Sequence, residues 1–352
     1  MLDRMPAFLT WARDEDAGGD VFASYLRLLT KRLGELAAHT RRNEPSLYEA
    51  LVAELEAASD AALVTVLCRP VTSRRLLVLH APVAAETAAA LVAGLREQAR
   101  REATPPAAGS VSDLTVEYDS DHALRVDLDG ELLERERPRE PPGPDWISGV
   151  DARLRLAVDR IGDVNERVRT FVTTFNRVVV AQPNADAPGR FSSGSTRRFI
   201  GRSALGNPDC VSLATLASAL IHEGIHALLY MQSVESEWVA GDIDPHARVE
   251  SPWTGASLEV EPFLQACFVW YGLLHFWALA APRDVFPHHE VDATMRECAR
   301  GFFAGPLTNL VRNVRSAIAP DVLATIDDLQ ARVAGAAAAT ERVRPSRARS
   351  VR

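Results

Sequence analysis

The sequence predicts a mainly α-helical fold with a small antiparallel β component, an α+β chain. Three observations carry this reading. Apolar residues recur at three- and four-residue spacing over most of the 352 positions. Strict apolar/polar alternation is confined to a short region near 114–128. Two long, nearly all-apolar stretches, Leu213–Tyr230 and Leu258–Ala281, read as buried helices.

In chain order, Val21–Leu36, Ser46–Ala58 and Glu86–Glu102 carry helical spacing, the last in good helix formers. Leu63–Leu67 and Leu76–His80 fit either strand or helix. Leu114–Tyr118 and Ala123–Leu128 alternate around Asp119-Ser120-Asp121, which predicts a β-hairpin. Glu134–Asp145 is charged and holds Pro138, Pro141, Pro142 and Pro144, so a Pro-rich linker is expected over 136–146. It separates an N-terminal, mostly helical region (1–135) from a second domain (147–334). That domain opens with a helix over about Val150–Asn176 and a buried strand over Arg177–Gln182. Arg190–Ser195 and Phe199–Leu205 are strand-like, and Asn207-Pro208-Asp209 is a turn. Ser212 stands where an N-cap is needed for the helix to Tyr230. Helices are expected over Leu258–Ala281, Glu290–Ala304, Pro306–Ile318 and Asp321–Ala334, and a disordered tail over 335–352.

Composition narrows the function. A net charge of −8 with no basic face argues against nucleic acid as a partner. The four cysteines stand far apart with no C-x-x-C pair, as free thiols of a reducing compartment do. The first residues carry Asp3, Arg4 and Arg13 without an apolar core, and Ala266–Ala281 is short for a bilayer and contains His275. A cytoplasmic protein with no membrane partner is expected.

The chemistry concentrates in Ile221-His222-Glu223-Gly224-Ile225-His226. On a helix, residues i and i+4 lie one above the other, so His222 and His226 can share one cation. Glu223 lies about 100° round the helix, where zinc hydrolases with this motif keep their general base. The plain alternative is a pair of core histidines satisfied by hydrogen bonds. A third ligand has to come from elsewhere. On the Leu258 helix, Glu261 and Gln265 share a face, and the Glu261 carboxylate balances cation charge. Two histidines and a carboxylate serve both non-haem Fe(II) and catalytic zinc, so the ligand set leaves the metal open.

Phe191-Ser-Ser-Gly-Ser195, Gly201, Asn207, Ala219–Tyr230, Ser251-Pro-Trp-Thr-Gly255, Ala266–Trp270 and His275-Phe-Trp277 together resemble the HExxH-motif enzymes of ribosomal-peptide natural-product pathways. The resemblance spans about 191–277. It implies a zincin-like active-site helix instead of a cupin barrel, with Fe(II) and 2-oxoglutarate as cofactors and a precursor peptide as partner. The reaction implied is β-hydroxylation of that peptide, with His222 and His226 as iron ligands. Where the family pattern carries histidine, this chain has Glu261 and Gln265, which leaves Glu261 as the third-ligand candidate. A 2-oxoglutarate site also needs a cation for the distal carboxylate. Arg248 is the first candidate and Arg198 the second, with Ser193 and Ser195 as hydroxyl donors. Trp253, Trp270 and Trp277 either line a peptide groove or belong to the core. Two alternatives stand beside the oxygenase: a zinc metallopeptidase using Glu223 as base, and a non-catalytic peptide-binding protein with a degenerate metal site.

Overall fold

The structure, a computed structural model, describes residues 2–12, 17–103, 114–118, 125–128, 131–134, 142–184, 187–241, 243–244 and 246–343. Its helices are α1 (Met5–Phe8), α2 (Ala17–Asn43), α3 (Pro45–Ala57), α4 (Asp60–Leu67), α5 (Pro70–Leu77), α6 (Ala81–Ala103), α7 (Pro144–Val164), α8 (Glu166–Phe175), α9 (Leu213–Glu235), α10 (Val260–Ala280), α11 (His288–Phe303) and α12 (Pro320–Val343). The strands are β1 (Val116–Glu117), β2 (Arg125–Leu128), β3 (Glu131–Glu134), β4 (Val178–Gln182), β5 (Ser192–Gly194), β6 (Arg202–Gly206), β7 (Arg248–Glu250) and β8 (Ser257–Glu259). The fold is mainly α with a minor β component, as expected, and no barrel closes among the described residues.

The chain divides into a terminal unit (1–17, 162–168 and 235–352) and a central unit (18–161 and 169–234). This differs from the linear split expected at 136–146. Residues 144–146 open α7 instead of ending a linker, and 136–141 lie outside the described residues. Proline at a first helical position costs no hydrogen bond, so Pro144 starts this helix instead of preventing it.

In the central unit, α2–α6 follow one another with short connections, and the ambiguous 63–67 and 76–80 stretches resolve into α4 and α5. Ser59 caps α4 by accepting from Ala62 N at 3.0 Å. Among the described residues, the two strands of the expected hairpin pair elsewhere. β1 pairs in parallel with β4, Val116 opposite Val179, and β2 pairs antiparallel with β3. Asp129-Gly130 joins β2 to β3 in the sequence, a dipeptide suited to a two-residue hairpin loop, while Asp119–Asp121, the turn of the expected hairpin, lies outside the described residues. The main sheet runs β1-β4-β6-β5, with β1, β4 and β6 parallel and only β5 antiparallel. The small β component is thus mixed: β2–β3, β5–β6 and β7–β8 pair antiparallel as expected, and β1–β4 and β4–β6 pair in parallel. The α7–α8 segment supplies the crossover that parallel pairing of β1 with β4 demands. Val178–Ala181 are buried, which explains their unbroken apolar run. α9 buries Leu216, Leu220, Ile221, Ile225, Leu228 and Leu229 completely, each contributing about 1.5–3 kcal/mol.

In the terminal unit, α10 is mostly apolar, with Glu261, Gln265 and His275 as its polar residues. Phe263, Phe268, Phe276 and Trp277 are fully buried. Trp253 lies flat over α11 at Gly301, where a Cβ would fall 2.2 Å from the indole, and donates from Nε1 to Cys298 O at 2.8 Å. Gln330 of α12 ties the segment after α11 by donating to Phe302 O and Gly305 O, both at 2.7 Å, and accepting from Leu307 N at 3.0 Å. Leu307–Ala317 winds as 3-10 helix where an α-helix was expected. Residues 335–343 continue α12 and are not tail; Ala-rich composition extends the helix. Residues 344–352 lie outside the described residues. α9 and α10 are long and apolar enough to cross a membrane, and both are mostly buried.

Candidate metal centre

The HEGIH helix begins where the sequence places its cap: Ser212 Oγ accepts from Thr215 N at 3.2 Å. Two and a half turns later, His222 and His226 stand side by side, half-buried, with ring centres 4.9 Å apart and planes at 57°. Two imidazoles sharing a cation at about 2.0–2.1 Å per nitrogen, at an angle of about 90–110°, stand ~4.5–5.2 Å apart centre to centre. The separation of the pair falls within that range. Burial pushes the His222 imidazole down to about 4, with Glu223 opposing the shift and His226 adding to it. His222 is thus neutral at neutral pH, the form that offers a lone pair. His226 also stacks on Tyr230, centre to centre 5.8 Å.

Glu223 is 1% exposed, and its Oε2 is buried without a hydrogen-bond partner. A buried polar atom left so costs about 1–3 kcal/mol.

Two residues hold this helix in place. Gly224 faces α8, where a Cβ would come 3.1 Å from Phe171 Cε1 and 3.2 Å from Asn176 Nδ2. Asn176, 1% exposed, donates from Nδ2 to Leu220 O at 3.0 Å and to Val172 O at 2.8 Å, and its Oδ1 accepts from Ser203 Oγ at 2.5 Å. One amide thus joins the end of α8, strand β6 and the turn of α9 just before His222. Sequence reasoning passed over Asn176 as the end of a helix. A polar residue between an amphipathic helix, Val168–Phe175, and the apolar run Val178–Ala181 was the available signal.

The other candidates fall as follows. Arg198, Ser193 and Ser195 belong to the central unit. Ser193 is exposed on β5, Arg198 is half-buried in a 3-10 turn, and Ser195 Oγ is buried without a hydrogen-bond partner. Asn207, left-handed at φ 51°, organises the approach to β5: its Oδ1 accepts from Asn184 N and its Nδ2 donates to Ala187 O and Arg190 O. Glu261, Gln265 and Arg248 belong to the terminal unit. On α10 Glu261 is half-buried and Gln265 fully so. Arg248 is exposed on β7 opposite Glu259, which it meets at 3.4 Å. Among the described residues, no group of three or more His, Cys, Asp or Glu side chains is gathered to hold a metal ion.

Trp253 and Trp277 are core residues, both fully buried, and half-buried Trp270 stacks on Trp253 at 6.0 Å. His288, beside His289 and Glu290, is spent on an exposed contact with Asp284. No protein-family model matches the chain, and no curated protein matches it.

Proposed function

We propose that the chain is a metal-dependent enzyme that modifies a peptide, with His222 and His226 as ligands of a divalent cation. The observation that carries the reading is the pair of adjacent, half-buried imidazoles beside a buried carboxylate with an unmatched oxygen. The resemblance across 191–277 points to Fe(II) with 2-oxoglutarate and to β-hydroxylation of a ribosomally made precursor peptide. Bound iron would supply one-electron oxygen chemistry. The protein's share is to fix the two imidazoles through the Asn176 clasp, exclude water with the apolar faces of α9, and present Glu223 as a hydrogen-bond acceptor. Glu261 as third ligand, with Gln265 beside it, rests on sequence order, as do Arg248 or Arg198 and Ser193 or Ser195 as 2-oxoglutarate contacts.

A second reading has its own support in Glu223. A carboxylate oxygen with no protein donor is free to take a proton from water, the role of the base in a zinc peptidase. The two readings separate in one experiment. Purified protein is loaded with Fe(II) or zinc and given 2-oxoglutarate, ascorbate and the precursor peptide. Succinate release with a one-oxygen mass gain supports the oxygenase; peptide cleavage with zinc and no cosubstrate replaces it by the peptidase. Equal metal content in wild type and His226→Ala sinks both and leaves a peptide-binding protein. Loss of metal affinity in Glu261→Gln, with His226→Ala as reference, tests the third ligand.

A further inference from the structure

We infer that Tyr230 is a positioning residue of the candidate metal centre, holding the plane of the His226 imidazole from one turn further along α9. This role rests on the reading of His222 and His226 as metal ligands. α9 is buried almost all round. Among the described residues from Ala219 to Ser233, every one is buried except His222, His226 and Tyr230, which are half-buried. Their spacing is i, i+4, i+8, so the three stand on one line of the helix. Ser218 and Val234, also half-buried, continue that line by a turn at either end. The accessible line of the helix is therefore the one that carries the imidazoles, and the tyrosine is next on it. Helical side chains lean toward the N-terminus, so the Tyr230 ring covers the turn before its own, where His226 stands. The two rings lie near-parallel, at 21°, with centres 5.8 Å apart. That separation is inside the range of about 4.5–7 Å for a packed aromatic pair.

Helix spacing puts an imidazole in place but leaves its plane open, because the last torsion of a histidine is broad. A ligand needs that plane fixed, since the nitrogen lone pair lies in it. A flat ring on the imidazole face restricts the torsion and leaves the nitrogens at the ring edge open. His222 meets His226 at 57°, a tilted contact. The near-parallel contact that fixes the plane comes from Tyr230. The backbone beneath the tyrosine is tied as well: Ser233 Oγ donates to Tyr230 O at 3.1 Å, and Ser233 O accepts from Arg197 Nη2 at 3.3 Å.

The test titrates the full chain with zinc against a chromophoric chelator, and with cobalt(II), whose visible bands report ligand geometry. Tyr230→Leu removes the ring face and Tyr230→Phe keeps it. Zinc affinity should fall about tenfold in Tyr230→Leu, with altered cobalt bands, and Tyr230→Phe should restore both. Wild-type affinity and bands in Tyr230→Leu overturn the proposal. So does an equal loss in Tyr230→Phe, which would place the effect in the hydroxyl. Where Tyr230→Leu fails to fold, NOEs between the Tyr230 and His226 rings in the metal-free wild type decide: their presence supports the stack and their absence overturns it. His226→Ala separates this inference from the reading beneath it. Equal zinc binding in wild type and His226→Ala sinks the metal centre itself, whereas binding lost in His226→Ala and unchanged in Tyr230→Leu sinks the tyrosine's role alone.

Discussion

Replacing Asn176 by alanine tests how the HEGIH helix is held, and its cost can be worked out atom by atom. The Nδ2 donor serves two carbonyls, Val172 O and Leu220 O. Val172 O keeps the backbone bond from Asn176 N at 3.0 Å, and Leu220 O stands within a continuous helix, so neither is orphaned. Ser203 Oγ is different: it is 1% exposed, and Asn176 Oδ1 accepts its hydrogen bond. Stranding that hydroxyl costs about 1–3 kcal/mol, and the cavity left by the amide adds roughly 1 kcal/mol. Asn176→Ala is therefore expected to lose about 3 kcal/mol in urea unfolding of the metal-free protein. Ser203→Ala removes the stranded group, so the double variant should be no less stable than Asn176→Ala, with a coupling of about 1–2 kcal/mol. Zinc affinity, measured by calorimetry on the folded fraction, should fall about tenfold, the usual effect of loosening a ligand's support. Strictly additive single-variant losses would refute the clasp.

Three further outcomes are expected. Gly224→Ala gains about 1 kcal/mol of helix propensity but drives a methyl against Phe171 and Asn176, a loss of about 1–3 kcal/mol, so a net destabilisation of about 1 kcal/mol should appear as a lower urea midpoint. Gly301→Ala meets the Trp253 ring, pinned by its bond to Cys298 O, and should cost about 3 kcal/mol or more in the same assay. For His275, burial, with Arg332 adding, pushes the imidazole down to about 4. The unfolded chain then takes up the proton first, so stability falls as pH drops from about 6.5 to about 4, by up to ~3 kcal/mol. His275→Leu should flatten that slope in pH-dependent melting; an unchanged slope would show that His275 does not cause it.

How far the sequence reached follows from which forces are local. α9 and α10 were legible because their apolar residues run through several turns and Ser212 supplies a cap chemistry that needs no distant partner. Val178–Ala181 was legible because a strand buried on both faces has to be continuously apolar. The hairpin at 114–128 was misread because alternation identifies a strand but not its partner, and β4, about sixty residues on, claims β1. The single helix expected over 150–176 breaks at Asn165, whose Oδ1 accepts from Arg167 N, and that short-range capping was readable in principle. For the site, spacing alone brought His222 and His226 together. Asn176 and Gly224 act across elements, and no periodicity marks such a contact.

Glu223 offers the sharpest separation between a residue kept for stability and one kept for chemistry. Its side chain is 1% exposed, and one carboxylate oxygen has no donor. Methionine fills a similar volume without polar atoms, so Glu223→Met relieves an unmet polar group worth about 1–3 kcal/mol while keeping the contacts of the stem. In the metal-free protein this variant should be as stable as the wild type or more so, by about 1 kcal/mol in urea unfolding. Its metal-dependent activity should be lost. That combination, stability gained and function lost, is expected where a protein tolerates strain for chemistry. If Glu223→Met instead weakens the metal-free fold by more than about 1 kcal/mol, the carboxylate is a structural element of α9, and the case for a reactive centre on this helix reduces to the two imidazoles alone.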